Sequence, residues 1–158
     1  MINQSPAVQP ASQVVTADLV GAWSLESYLD TIDGAETMHP LGLDPKGLLI
    51  YTPDEFMSAQ LMRTDRSPLG LGNANAGTMS DYREKAVDYI GYSGMYHFDE
   101  HTATVFHMPS VSFAPGLIGR RLKRQVKLDG DRLTLTVLTP GVEGKSVTSI
   151  LSWLKLHR

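Results

Sequence analysis

Cysteine is missing from all 158 residues, which removes disulfides, thiolate nucleophiles and cysteine-based metal sites together. It also fits a reducing compartment. Charge of one sign is scarce too. Fourteen Lys and Arg stand against 17 Asp and Glu, for a formal net charge of −3. No segment gathers a basic face, so a nucleic-acid partner is not expected. No apolar run approaches the roughly 20 residues that cross a bilayer, so no membrane partner is expected. The five histidines, His39, His97, His101, His107 and His157, show no H-x-H or HExxH spacing, and no metal site is expected. No glycine-rich loop follows a strand and opens a helix; GLGNAN at residues 70–75 lacks that context. There is no G-x-S-x-G. The expectation is a protein without a cofactor. The opening MINQSPAVQPASQVVTAD lacks both a basic start and an apolar core, so it does not read as a secretory signal, and a cytoplasmic location is the default.

What is present is an ordinary globular composition, 42% hydrophobic and 20% charged, long enough for one domain with a real core. Residues 1–17, rich in Gln, Ser, Pro and Ala, read as a flexible tail, and residues 18–158 as the domain. Two arrangements would order the tail: packing over a cavity mouth or the helix as a lid, or packing against a neighbouring subunit in a homodimer. LVGAWSLESYLD (19–30) alternates in the period of a strand, with Trp23, Leu25 and Ser27 on one face. Asp33-Gly34 is a turn, with a short return strand over Glu36–Leu41. GLLIYTPDEFMSAQLMR (47–63) reads as two strands broken at Pro53-Asp54-Glu55. Residues 63–77 form a long Gly/Pro/Asn loop. Thr78–Tyr92 is the one convincing helix, capped by Thr78, with Met79, Tyr82, Ala86, Tyr89 and Ile90 on one face. Strands resume at Tyr92–Asp99, Thr102–Met108, Leu117–Leu128, Leu133–Val137 and Val147–Leu156, separated by tight turns. Eight or nine sequential strands predict an all-β, up-and-down antiparallel β-barrel with the mid-chain helix covering its mouth. Such a barrel holds at most one small ligand.

Several stretches carry a resemblance. Gly21-Ala22-Trp23 looks like the lipocalin G-x-W signature. LVGAWSLESY, DPKGLLIYTPDEFMSAQLMR, DYREKAVDYIGYSGMYHFDE, LDGDRLTLT and the closing LSWLK together resemble the lipocalin-like domain family of bacteria and fungi, with Lys155 where an Arg is expected. The likeness spans about Leu19–Leu156. It implies a small-molecule barrel, with members in secondary-metabolite pathways and some related barrels acting as cyclases or isomerases. It does not imply one reaction.

Strand parity then proposes an interior. Arg120 and Arg124 share a face with Leu122, Val126 and Leu128. His107 lies with Val105, and Tyr96 with Tyr92, Gly94 and Phe98. The expected catalytic set is His107, Tyr96 and Arg124: Tyr and Arg hold a developing enolate oxygen while His107 moves a proton. Tyr51, Ser58, Gln60, Arg120, Tyr82, Tyr89 and Trp23 are the expected substrate-binding groups. Bland alternatives stand beside these. His107 is a hydrogen-bonded structural residue; Arg124 stacks on Trp23 at the barrel bottom, a role for which Lys155 and Arg158 compete; Tyr82 and Tyr89 pack the helix onto the barrel; Gln60 satisfies backbone at a bulge. The expected partner is a hydrophobic small molecule. Two functions follow: a cofactor-independent cyclase or isomerase for an apolar oxygenated, polyketide- or terpenoid-like metabolite, or a non-catalytic carrier of such a compound.

Overall fold

The computed structural model describes residues 13–65, 78–140 and 144–157. A four-residue helix α1 (Thr16–Leu19) leads into β1 (Gly21–Ile32), β2 (Glu36–Met38), β3 (Lys46–Tyr51) and β4 (Phe56–Met62). Helix α2 (Met79–Ala86) follows, then β5 (Tyr89–Asp99), β6 (Thr104–Ser112), β7 (Leu122–Asp129), β8 (Arg132–Pro140) and β9 (Ser146–Lys155). All neighbouring strands pair antiparallel. Because β1 pairs with β3 on one side and β9 on the other, eight strands close into a barrel, and the short β2 adds only to the far end of β1. The expected up-and-down barrel is formed. Closure satisfies the backbone of β1 and β9, which an open sheet would leave as bare edges. No described helix is long and apolar enough to cross a membrane.

The two ends of the barrel differ. At one end the connections are tight turns, at Thr52–Glu55, Glu100–Ala103 and Gly130–Asp131, and α1 lies across the opening. Leu19 and Trp23 are fully buried there, and the Trp23 indole Nε1–H donates to the Leu19 carbonyl at 2.9 Å. Lys155 closes the gap on the other side. Its Nζ sits 4.8 Å over the Trp23 ring and donates to the Asp18 carbonyl at 3.1 Å. Tyr51, Tyr96, Phe98, Val105 and Leu133 fill the interior above this plug. The longest connections lie at the other end, among them the one that carries α2 between β4 and β5.

Two β-bulges set which residues face inward. On β1 the pairing passes from Leu25↔Trp153 to Ser27↔Ser152, leaving Glu26 as the extra residue. On β6 it passes from Gly94↔Pro109 to Ser93↔Val111, leaving Ser110 extra. A Cβ at Gly94 would lie 2.1 Å from the Met108 carbonyl oxygen, so only glycine fits this close approach.

Two expectations are corrected. The helix is shorter than Thr78–Tyr92: Tyr89 and Ile90 instead extend β5, opposite Met62 and Leu61. A ladder with β4 satisfies more backbone than another helical turn whose face would meet solvent, as Met79 does. The strand expected from Leu117 starts at Leu122, because Pro115–Leu117 forms a 3-10 turn and Gly119 takes φ +74°. Of the tail, only residues 13–17 are described. Gln13 donates to the Glu100 carbonyl, and Thr16 N–H and Oγ1–H donate to the Glu100 carboxylate at 2.8 and 2.9 Å, at the plugged end. Residues 1–12 lie outside the described part.

Candidate functional site

The plug and the lower core leave space in the upper half of the barrel, a cavity of roughly 200 Å³ walled by Leu49, Ala59, Leu61, Ile90, Leu135 and Leu151. Each wall residue follows from strand alternation: on β4, for instance, Met57, Ala59 and Leu61 turn in while Ser58 and Gln60 turn out. Polar groups are few and come from six strands: Tyr28, Tyr92, His107, Arg124, Ser149 and Trp153 also line the space, with Thr139 toward the open end.

His107 is the hub. Its side chain is 1% exposed, and both ring nitrogens are engaged: the Tyr51 hydroxyl lies 2.6 Å from Nε2 and the Tyr92 hydroxyl 2.9 Å from Nδ1. Burial, with a smaller contribution from the Arg124 charge, pushes the imidazole down to about 3, so at neutral pH the ring is uncharged. A neutral imidazole has one donor and one acceptor. Tyr51 is fully buried, and burial also raises its phenol well above the usual range. Its proton has no acceptor other than Nε2 among the described residues, so Tyr51 donates to Nε2 and Nδ1–H donates to the Tyr92 oxygen. This order leaves the Tyr92 O–H proton free to point into the cavity that Tyr92 lines. The result is a fixed, uncharged relay ending in one outward donor.

Beside it stands Arg124, half-buried on β7. Its Nη1 donates to the Lys123 carbonyl at 3.0 Å, and no carboxylate among the described residues forms an ion pair with it. On β9, Trp153 is 1% exposed and its indole Nε1–H has no hydrogen-bond partner among the described residues. Nearer the opening, Tyr28 hydrogen-bonds Ser149, whose hydroxyl donates to the Asp30 carboxylate at 2.6 Å. Burial and the Asp30 charge raise the Tyr28 phenol above its ordinary value.

Of the expected site residues, the structure gathers His107, Arg124 and Tyr51; Tyr51 acts through His107 and does not itself line the space. The others are placed differently. Tyr96 faces inward but low in the barrel, its ring tilted against that of Tyr51 with centroids 4.7 Å apart, and its hydroxyl donates to the Thr52 carbonyl at 3.0 Å. It fastens the β3–β4 turn. Ser58, Gln60 and Tyr89 lie on the outer surface, where Tyr89 donates to Gln60 Oε1 and Gln60 and Ser93 donate to Ser58 Oγ. The pairing Tyr51↔Met57 decides this: with Tyr51 inside, Ser58 and Gln60 must face out. Arg120 is exposed in the loop before β7. Trp23 belongs to the plug and not to the cavity wall, and Lys155, not Arg124, stacks on it. Tyr82 is on α2, but its side chain lies outside the described residues. Among the described residues no group of His, Asp and Glu could hold a metal ion.

Sequence reasoning did not assign Tyr28, Tyr92, Ser149 or Trp153 to the site. Tyr92 shares the inward parity of Tyr96 and was reachable by the same rule. Tyr28 was not, because simple alternation from Trp23 turns it outward; the extra residue Glu26 reverses the parity beyond it.

The family model described as a lipocalin-like domain matches residues 20–156. No curated protein and no solved structure matches the chain.

Proposed function

The chain belongs to the lipocalin-like domain family, and from that premise we propose that it binds an apolar small molecule inside the barrel, with the ligand's oxygenated end against Tyr92 and Arg124. The observation that carries this reading is the cavity itself. It is sealed below by aromatic packing, is apolar on its walls, and has a few convergent donors. That is the usual make-up of a small-molecule site. The relay of Tyr51, His107 and Tyr92 is built before any ligand arrives, so binding costs little reorganisation of these groups.

Native mass spectrometry of protein from its own host is the direct test, with a retained small molecule as the expected result. Thr139→Trp narrows the open end without touching the core, and should abolish that retention while leaving the melting temperature within about 2 °C, since surface changes rarely exceed about 0.5 kcal/mol. Equal retention by both proteins would place the ligand elsewhere and defeat the reading.

A second reading is supported by the same donors. Tyr92 and Arg124 both border the cavity, and two such donors on one carbonyl oxygen would stabilise a developing enolate in a water-poor site. A cofactor-independent cyclisation or isomerisation would use this polarisation and the shape of the cavity. In that case His107 holds Tyr92 in place and does not itself carry the proton. Tyr92→Phe should then lower turnover at least about tenfold, in the range typical of a lost oxyanion donor. Recovery of the retained molecule chemically unchanged after prolonged incubation favours the carrier.

A further inference from the structure

The polar groups of the cavity are unbalanced. Among those that line it, the Arg124 guanidinium can only donate, and Tyr92 has its acceptor lone pair already taken by His107 Nδ1–H. The carboxylate on this stretch of β1, Asp30, is engaged by Ser149. A buried donor without an acceptor costs roughly 1–3 kcal/mol, and Trp153, whose indole borders the cavity, has no acceptor for its Nε1–H among the described residues, so its signal is sensitive to what fills the space. Arg124 adds a demand for negative charge, because a half-buried cation with no ion-pair partner among the described residues is poorly compensated.

We propose that the occupant is a compact carboxylic acid, its carboxylate held by Arg124 and Tyr92 O–H and its hydrocarbon against Leu49, Ala59, Leu61 and Leu135. This rests on the binding reading above and names the ligand class for the same site. Guanidinium and carboxylate form two parallel charge-assisted hydrogen bonds, which neither an alcohol nor a ketone can offer. Size limits the rest. A cavity of about 150 Å³ accommodates benzene, so roughly 200 Å³ suits one ring or a short chain, with any longer tail extending through the open end.

The chain contains two tryptophans, which makes the test selective. In ¹H–¹⁵N spectra of the full-length protein, the indole signal of Trp153 reports the cavity and that of Trp23, bonded to Leu19, reports the plug. The probes are 3-phenylpropanoate and octanoate, set against 3-phenylpropan-1-ol and octan-1-ol. The carboxylates should move the Trp153 signal, leave Trp23 in place, and bind at least about tenfold more tightly than their alcohols. Arg124→Gln should erase that margin. If the alcohols bind as well as the acids, or if acids bind without moving Trp153, the carboxylate assignment is overturned while the binding function stands. If none of the four compounds binds, the carboxylate assignment is likewise overturned, and the binding function stands or falls on the retention test with Thr139→Trp.

Discussion

A histidine in the middle of a strand invites an acid–base role, and the surroundings of His107 answer it. With Tyr51 on one nitrogen, Tyr92 on the other and no access to water, the ring stays neutral down to a pH of about 3. The unfolded chain would bind a proton near 6.5. Folding therefore favours the deprotonated form: this contribution to stability is whole above pH 6.5 and is lost as the pH falls toward 3. The slope is about 1.4 kcal/mol per pH unit, or about 2 kcal/mol between pH 6.5 and 5, where few carboxylates titrate. Urea midpoints measured across that interval should fall more steeply for the wild type than for His107→Gln. Parallel curves would mean that the imidazole is not held neutral. At this scale His107 and Arg124 were readable from strand parity alone. The unpaired state of Trp153 was not, because satisfaction of an indole N–H depends on which groups other strands bring near it.

At the scale of the elements, the two bulges decide the site. Without the extra Glu26, β1 would keep Ser27 inside and turn Tyr28 to solvent. The bulge between Gly94 and Pro109 depends on the absence of a side chain at residue 94. Gly94→Ala would place a methyl group 2.1 Å from the Met108 carbonyl oxygen, a backbone atom that cannot step aside. We expect a loss of at least about 2 kcal/mol by urea denaturation. An unchanged midpoint would show that the strands slide past each other at no cost. Bulges escape a reading of alternation because one added residue leaves the local composition untouched and alters only the pairing count. The long helix expected over Thr78–Tyr92 failed for a related reason: Tyr89 and Ile90 suit a helix face as well as a strand, and only β4, waiting opposite with Leu61 and Met62, settles the choice.

For the whole molecule, the barrel divides its work between ends. The plugged end holds α1, Trp23 and Lys155, and the open end holds the cavity and the long connections. Leu19, fully buried against the plug, should therefore matter for stability alone. Leu19→Ala is expected to cost about 2–4 kcal/mol while carboxylate affinity changes by less than about twofold. A large loss of affinity in a protein that is still folded would show that plug and cavity are coupled. The class of the fold and the family were present in the sequence itself. Strands of alternating character separated by tight turns have few ways to bury their apolar faces, and closing on themselves is the one that also removes the edges. Absence of cysteine, of a phosphate loop and of metal-ligand spacing likewise needed no coordinates. What the tertiary structure alone decided is the content of the cavity. Whether a polar side chain faces inward depends on bulges and on register across strands distant in sequence. Whether it is satisfied depends on atoms from several strands meeting within about 3 Å. Tyr51, His107 and Tyr92 meet in that way; Trp153 Nε1–H has no such partner among the described residues, which no reading of alternation could show.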